Sequence, residues 1–329
     1  MKLKLGMVGY GAIAEKFQEP GIRSSRLVEL AGIYDKNFER IRKFDSAGSG
    51  TRCYGTYEEM LSDKSIDAIS VATPNKLHCP QVVAAARAGK HVICEKPIAL
   101  SVEEARLMVE ECSKAGVTFM VAHHLRYKEC NIRALEAVKK GVLGRVASAR
   151  ARWSFSIPDG KLEDGWRENR EISGGGQIMN VNSHCIDLLV YIFGRPLKVS
   201  AFIQAGQDSG VEDGSYVMME FPGGILATSQ GSYREQGVAN ILDISGSGLS
   251  LQVEGACSSD GRGRLIYLPS GKTEECDMKE SPYCAEFEHF ARCVMEKSEP
   301  VSSGRRILDT MAVLEAAYAS AATGKHINL

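Results

Sequence analysis

A glycine-rich turn near the amino terminus constrains the fold of this chain more than any other feature. The apolar run Leu3–Val8 predicts a short strand, and the sequence GYGAIA follows it directly at residues 9–14. This order matches the pattern G-x-G-x-x-A, in which Gly9 permits a tight turn and Gly11 lets the backbone approach a pyrophosphate. Ala14 is small enough for a helix to pack closely on the strand. The first amides of that helix would then face the phosphates.

The residues after this turn indicate which dinucleotide it would bind. A second predicted strand, Leu27–Tyr34, ends at Asp35, about 20 residues beyond the turn, which is the spacing of the acid that binds the adenosine ribose. A carboxylate accepts a hydrogen bond from the ribose 2′-hydroxyl and repels a 2′-phosphate, so Asp35 favours NAD. Lys36 and Arg40 lie close by and keep NADP as an alternative. They are better explained as the solvated start of a helix.

Apolar runs alternate with helix-compatible segments through the next hundred residues. Further strands are predicted at Ile66–Ala72, His91–Cys94 and Val117–Ala122. The segments between them end at glycines, as helices often do, and Ser101 begins a capping box. Strands that alternate with helices imply a parallel, doubly wound sheet.

Lys96 stands between an acid and a proline at the end of the apolar run 91–94. Pro97 fixes its own backbone and restrains the lysine before it. Because ligands bind at the carboxyl ends of strands in open α/β sheets, we expect Lys96 to be an aimed functional amine. The alternative is a structural ion pair with Glu95.

Length and charge bound the remaining possibilities. The chain has 329 residues, which suggests about two domains, and a formal net charge of −1, which does not favour nucleic acid or an anionic membrane as a partner. No apolar run reaches the length of a membrane helix, and the first residues lack the apolar core of a signal peptide, so we expect a cytoplasmic protein. The ten cysteines are scattered without a C-x-x-C pair, which predicts buried, reduced thiols and no zinc site.

With these motifs in order, the chain resembles the Gfo/Idh/MocA oxidoreductases, which are NAD(P)-dependent enzymes that act mostly on sugars, inositols and related polyols. The resemblance spans nearly the whole chain. The segments that carry it are Gly9–Ala14, Ala72–Asn75, His78, Ala88–Val92, Cys94–Pro97, His124–Tyr127, Gly174–Gly176 and His184 with Asp187, with weaker matches at Tyr283–Phe290 and at Gly324-Lys325.

The resemblance implies a fold of the α/β plus α+β class. A Rossmann domain with a doubly wound parallel sheet would span residues 1–122. A substrate-binding and oligomerisation domain would span residues 123–329 and contain an open, mostly antiparallel sheet, and the last helix, about 304–322, would pack back near the first domain. Six apolar runs between residues 146 and 254 read as strands of that sheet. Such sheets usually mediate homodimers or homotetramers in this family.

The resemblance also implies functional residues and a reaction. The reaction would be hydride transfer between NAD(H), with NADP as an alternative, and a hydroxyl or carbonyl carbon of a sugar, inositol or sugar derivative. No metal is expected. Lys96 and His184 would be catalytic and would also contact substrate. The other expected substrate-binding residues are Asn180, Arg126, Trp166 and Arg167, and the expected cofactor-binding residues are Gly9, Tyr10, Gly11, Ala12, Ile13, Asp35, Lys36, Thr73, Pro74, Asn75, His78, Glu95 and Lys96.

His184 is the expected partner of Lys96 in proton transfer, because the pKa of histidine lies near neutrality. Asn180 lies four residues before it, hence nearby on a helix, and Asp187 follows at a spacing suited to orienting the imidazole. Many family members carry Asp where this chain has Asn180. Asparagine cannot accept a proton but can hydrogen-bond a hydroxyl or carbonyl.

Two other functions remain open on the sequence. Because Asn180 cannot accept a proton, a non-catalytic, NAD-binding sensor or regulator with the same fold is one alternative. Transient use of the nicotinamide would instead give a glycosidase or a redox isomerase. Retention of Lys96 and His184 favours the dehydrogenase.

Overall fold

A computed structural model describes residues 2–45, 50–157, 165–206 and 210–329. The chain forms two compact units, Met1–His123 with Glu280–Ile307 and His124–Lys279 with Leu308–Leu329. Residues 158–164, within the loop 156–174 that carries Trp166 and Arg167, lie outside the described residues. No helix in the described ranges is long and apolar enough to cross a bilayer.

The first unit is built on a six-stranded parallel sheet of order β3-β2-β1-β4-β5-β6. Its strands are β1 (Leu3–Val8), β2 (Val28–Tyr34), β3 (Arg52–Cys53), β4 (Ala68–Val71), β5 (His91–Glu95) and β6 (Phe119–Ala122). The central strand β4 is buried at every residue, which explains its continuous apolar run. The predicted doubly wound sheet is confirmed.

The second unit contains a nine-stranded sheet of order β14-β13-β12-β11-β7-β10-β9-β8-β15, in which only the pair β7 and β10 is parallel among the described strands. Its strands are β7 (Val146–Ser154), β8 (Lys198–Ala205), β9 (Glu212–Phe221), β10 (Ile225–Ser232), β11 (Ile241–Gly246), β12 (Ser250–Glu254), β13 (Arg264–Leu268), β14 (Lys272–Glu275) and β15 (Ile327–Asn328). The predicted open, mostly antiparallel sheet is confirmed.

The α-helices follow capping rules where the sequence supplies a cap. Ser101 accepts a hydrogen bond from the amide of Glu104 at 3.1 Å, as the predicted capping box requires. In chain order the helices are α1 (Glu19–Ser24), α2 (Phe38–Asp45), α3 (Tyr57–Ser62), α4 (His78–Arg87), α5 (Val102–Lys114), α6 (Glu129–Lys139), α7 (Arg170–Ser173), α8 (Ser183–Phe193), α9 (Pro282–Glu296) and α10 (Gly304–Thr323).

Two helices begin with wide, π-helical turns, Ala14–Gln18 before α1 and Ile178–Asn182 before α8. Such turns are rare and are frequent at functional sites. Both lie where the sequence predicts function, since the first follows the glycine turn and the second carries Asn180.

One face of the second sheet is covered by α8. The predicted apolar stripe of this helix segment, Ile178, Val181, Cys185 and Leu188, is buried. The thiols behave as expected for structural cysteines, because all ten are free and all but Cys53 are buried.

Candidate active site

The carboxyl edge of the first sheet brings together several residues that the sequence singles out. The strand order places β1 beside β4 and β4 beside β5, so that Gly9, Thr73 and Lys96 follow three neighbouring strands at one edge. The chain reverses its direction of strand addition between β1 and β4. Ligands of open α/β sheets bind outside the carboxyl ends of the strands at such a switch point.

Gly9 has a φ of +89°, which side chains rarely tolerate. A β-carbon there would also lie 2.7 Å from the carbonyl oxygen of Ala72. A β-carbon at Gly11 would meet only the guanidinium of Arg40, at 3.6 Å, among the described atoms. The turn is therefore tight at Gly9 and open at Gly11, as the cradle of a pyrophosphate requires, and these residues fit a dinucleotide.

Asp35 is buried at the end of β2, and its carboxylate holds the glycine turn. It accepts hydrogen bonds from the backbone amides of Tyr10 at 2.6 Å and Asn37 at 2.7 Å. The guanidinium of Arg40 lies 3.6 Å from the same carboxylate. A half-exposed cation therefore accompanies the acid that favours NAD, in a position to accommodate the extra phosphate of NADP.

Lys96 is half-buried directly after β5, and Glu95 fixes the backbone that carries it. The buried Glu95 carboxylate accepts hydrogen bonds from the side-chain amide of Gln18 at 2.6 Å and from the backbone amide of Lys96 at 3.1 Å. Gln18 accepts in turn from the hydroxyl of Ser70 at 3.0 Å. This chain of bonds holds the lysine segment against the helix that follows the glycine turn.

His78 joins the lysine segment to the segment after β4. Its Nδ1 lies 2.9 Å from the carbonyl oxygen of Pro97, and its Nε2 lies 2.9 Å from that of Thr73. Burial lowers the pKa of His78, and the charge of Lys96 lowers it further against the effect of the two carbonyls. A neutral ring can donate to only one of these carbonyls. The geometry gives His78 the task of shaping the edge on which we expect the cofactor.

The remaining predicted cofactor residues also lie along this edge. Ala12 and Ile13 begin the helix after the glycine turn, Lys36 is exposed beside Asp35, and the hydroxyl of Thr73 donates to the side chain of Gln81 at 2.6 Å. The others are Tyr10 and Asn75, which are buried, and Pro74, which is half-buried.

In the second unit, Glu212 positions the helix segment that carries Asn180 and His184. Its buried Oε1 accepts hydrogen bonds from the backbone amides of Gly176 at 2.9 Å and Ile178 at 3.0 Å, and from the hydroxyl of Tyr318 at 2.7 Å. A carboxylate at the start of a helix satisfies amides that lack a partner in the helix and favours its dipole.

A buried polar network fastens the same segment to the sheet beneath it. The hydroxyl of Ser215 on β9 donates to Gln177 at 2.8 Å and accepts from Asn182 at 2.9 Å. Ser229 on β10 donates to Asn182 as well. These buried hydrogen bonds tie the amino-terminal residues of the α8 segment to β9 and β10.

His184 is buried in a group of three rings. Its ring centroid lies 4.9 Å from that of His124 and 5.1 Å from that of Trp153 on β7. Asn180, one turn earlier, donates from Nδ2 to the hydroxyl of Tyr233 at 2.6 Å. Tyr233 follows β10 and packs on Phe155, which follows β7, with centroids 5.5 Å apart. The predicted pair of Asn180 and His184 is thus lined by aromatic side chains of two neighbouring strands.

Arg126 and Asp187, both buried, form an ion pair within the second unit. The guanidinium donates to the two carboxylate oxygens at 2.8 and 2.7 Å, and Thr310 donates to the carboxylate at 2.9 Å. The guanidinium also lies 4.6 Å from the centroid of Tyr191. These contacts give Arg126 a structural role, whereas the sequence suggested that it binds substrate. They also occupy the carboxylate of Asp187, which the sequence suggested would orient His184.

Trp166 and Arg167 lie in the short turn Gly165–Glu168, with the guanidinium 4.5 Å from the indole. Arg167 is close enough to Tyr233 for its charge to act on the pKa of that hydroxyl. The predicted tryptophan and arginine therefore approach the aromatic residues around Asn180.

Tyr233 and Glu212 are the site residues that the sequence reasoning missed. A signal for Tyr233 exists in the alternation along β10, where Ala227, Ser229 and Gly231 are small and face α8, and the next residue of that face is the tyrosine. No comparable local pattern marks Glu212.

Comparison with known proteins supports both units. Residues 3–123 match an oxidoreductase family with an NAD-binding Rossmann fold, and residues 132–252 match the GFO/IDH/MocA C-terminal domain. The chain is 31% identical to D-xylose 1-dehydrogenase (NADP(+)) 2 of Haloferax volcanii, over 99% of this chain and 100% of that protein.

Two solved structures have the same architecture across the whole chain. One is an aldose-aldose oxidoreductase from Caulobacter crescentus complexed with glycerol, with a TM-score of 0.91, 28% identity and full coverage of both chains. The other is the WlbA dehydrogenase from Bordetella pertussis in complex with NADH and UDP-GlcNAcA, with a TM-score of 0.85 and 26% identity, covering 100% of this chain and 99% of that one. The chain belongs to the Gfo/Idh/MocA family of NAD-binding oxidoreductases.

Proposed function

We propose that this protein oxidises a CH–OH group of a sugar, inositol or sugar derivative with NAD, and accepts NADP as an alternative. The observation that carries the proposal is the hydrogen-bonded chain from Ser70 through Gln18 to Glu95, which holds Lys96 at the sheet edge next to the glycine turn. The similar proteins that act on D-xylose and on aldoses support a sugar as the substrate.

Lys96 and His184 are the two titrating groups of the proposed reaction. Bound NAD would supply the hydride acceptor, so the protein must accept the proton of the hydroxyl that is oxidised. A lysine amine and an imidazole can both hold that proton, whereas the amide of Asn180 cannot. We assign Asn180 to hydrogen bonding with substrate, and Trp153 to packing against the apolar face of a sugar ring.

The proposed cofactor contacts come from the glycine turn and from Asp35. The amides around Gly11 would bind the pyrophosphate, and Asp35 would bind the ribose. Arg40, which accompanies Asp35 at 3.6 Å, supports tolerance of the 2′-phosphate, as does the NADP dependence in the name of the Haloferax relative.

We further propose a homodimer or homotetramer that forms through the open face of the second sheet. Phe202, Met218 and Leu226 project from β8, β9 and β10 on the face opposite α8, and each is at least half exposed. Exposed apolar side chains that cluster on one face of a sheet mark an interaction surface. We call these three residues the open-face patch.

A substrate screen tests the proposed function. The purified protein is incubated with NAD or NADP and with D-xylose, D-glucose or myo-inositol, and the absorbance of the reduced cofactor is followed. We expect reduction with at least one sugar or polyol and a larger rate with NAD than with NADP. Product formed without net reduced cofactor would instead indicate a redox isomerase or glycosidase, and binding of cofactor without any turnover would indicate a sensor.

A further inference from the structure

Tyr233 is the aromatic residue that ends the helix-facing side of β10. Its side chain follows Ala227, Ser229 and Gly231 in the alternation of the strand, so that it lies on the α8 side of the sheet. The backbone around it is fixed on both sides, because its amide donates to the carbonyl of Asp213 at 2.8 Å and its carbonyl accepts from the amide of Ile157 at 3.0 Å. Tyr233 is 6% exposed.

The hydrogen bond between Asn180 and Tyr233 has a defined direction. The Nδ2 of Asn180 carries only hydrogens, so it donates and the phenol oxygen accepts, at 2.6 Å. The hydroxyl hydrogen of Tyr233 must then point elsewhere. Within the described ranges this amide is the one hydrogen-bond partner of the hydroxyl. A buried O–H donor without an acceptor is costly and rare, which indicates that it serves a ligand oxygen.

The amide at position 180 determines this polarity. A carboxylate at the same place would accept from the phenol and use up its hydrogen. With Asn180 the phenol keeps its hydrogen for another acceptor. The amide of Asn180 therefore leaves the phenol hydrogen available to another acceptor, which a carboxylate at this place would not do.

Tyr233 remains a neutral phenol in this setting. Burial raises the pKa of Tyr233, and this effect outweighs the opposing influences of the Asn180 amide and the Arg167 charge. The side chain therefore acts as a hydrogen-bond donor and does not compete with Lys96 or His184 for the substrate proton.

We propose that the Tyr233 hydroxyl donates a hydrogen bond to a second oxygen of the sugar, distinct from the hydroxyl that is oxidised, and that it selects for substrates that carry this oxygen. The inference rests on the proposed function, since it adds a selecting residue to the same site. The acceptor that we assign is a hydroxyl or ring oxygen of the sugar, since the neutral phenol donates a single hydrogen bond, which such an oxygen accepts.

A comparison of parent and deoxy sugars tests the proposal. The probe is whichever of D-xylose, D-glucose or myo-inositol the wild-type enzyme oxidises fastest, together with its monodeoxy derivatives. We expect wild type to prefer the parent over one particular deoxy form by roughly tenfold, the size of one neutral hydrogen bond. Tyr233→Phe should raise KM for the parent by a similar factor, with a smaller change in kcat, and should lose the preference over that one deoxy form while keeping the others.

Tyr216→Phe is the matched control. The hydroxyl of Tyr216 also accepts from a side-chain amide, that of Gln230 at 2.7 Å, but it lies on the open face of the sheet. This variant should keep the wild-type preferences. If Tyr233 only held Asn180 in place, Tyr233→Phe would lower kcat/KM for the parent sugar and for every deoxy sugar by the same factor. That outcome, or no change at all, would overturn the proposal. Absence of any wild-type turnover would instead contradict the proposed function itself.

Discussion

At the scale of single residues, buried side chains near the edge of the first sheet form hydrogen bonds with the backbone of the turns that follow the strands. His78 faces the carbonyls of Thr73 and Pro97, and Glu95 accepts from the amide of Lys96. Each contact fixes a turn that follows a strand. The shape of the edge therefore depends on the contacts of these two side chains.

The stability of the protein should decrease as the pH is lowered, because of His78. Burial holds its pKa below the ordinary value of 6.5, so as the pH falls through 6.5 the unfolded chain gains a proton before the folded chain does. The stability that depends on neutral His78 is present above that pH and is lost below it. We expect the free energy of unfolding, measured by urea titration, to fall less steeply in His78→Gln than in wild type between about pH 7 and about pH 5.

One proton limits the difference in slope between these two proteins to about 1.4 kcal/mol per pH unit. Because all other histidines are retained in the variant, the difference isolates His78. Parallel curves for the two proteins across this range would show that His78 does not resist protonation.

Residues with a local signature could be predicted from the sequence, and residues defined by distant partners could not. Gly9 and Asp35 meet requirements of backbone shape and spacing that are visible within one βαβ unit. Tyr233 and Asn180 are 53 residues apart in sequence. Their hydrogen bond arises from the packing of α8 on β10, which no local pattern encodes.

At the scale of elements, the helix segment 178–193 depends on the strand edge that supports its start. Glu212 is the first residue of β9, and its carboxylate collects three donors, two of which are amides of the helix start. The glycines at 174–176 let the chain approach this carboxylate closely. The sequence predicted the helix and its apolar stripe but neither the wide turn Ile178–Asn182 nor the acid that anchors it.

Removal of this anchor should cost both stability and activity. Glu212→Ala leaves buried donors without an acceptor, so we expect the free energy of unfolding to drop by about 2–3 kcal/mol and kcat/KM to fall, because Asn180 and His184 shift with the helix start. Glu212→Gln keeps an oxygen at this place and should lose less.

Glu220→Ala is a matched control on the same strand. Its carboxylate forms an exposed ion pair with Lys198 at 2.9 Å, which contributes at most about 1 kcal/mol. Equal losses at positions 212 and 220 in thermal or urea unfolding would mean that Glu212 does not anchor the helix.

At the scale of the whole molecule, the strand order of each sheet places the residues that matter at defined edges and faces. The parallel order was predictable from the alternation of strands and helices. Three strands of the second sheet, β13, β14 and β15, were not predicted; β14 is mostly charged and β15 has only two residues. The helix α9 packs against α1 within the first unit, and Tyr283 on α9 stacks on Phe17 in the turn before α1 at 5.1 Å, whereas the sequence placed α9 in the second domain.

The open-face patch predicts that assembly depends on Phe202. We expect Phe202→Glu to reduce the particle mass measured by light scattering, because a charge cannot be buried in an apolar interface without a partner. Phe38→Glu changes another exposed phenylalanine, on α2 of the first unit, and should leave the mass unchanged. A wild-type monomer, or a Phe202→Glu protein of unchanged mass, would refute assembly through this face.

Proton transfer by Lys96 is the step on which the proposed reaction depends, and steady-state oxidation of the best sugar by Lys96→Ala tests it. General acid–base catalysis contributes roughly 100- to 10,000-fold, so we expect kcat to fall by a factor in that range, while NAD still binds and Lys64→Ala, which removes an exposed lysine of the same unit, retains wild-type activity. Wild-type kcat in Lys96→Ala would show that Lys96 does not transfer the proton.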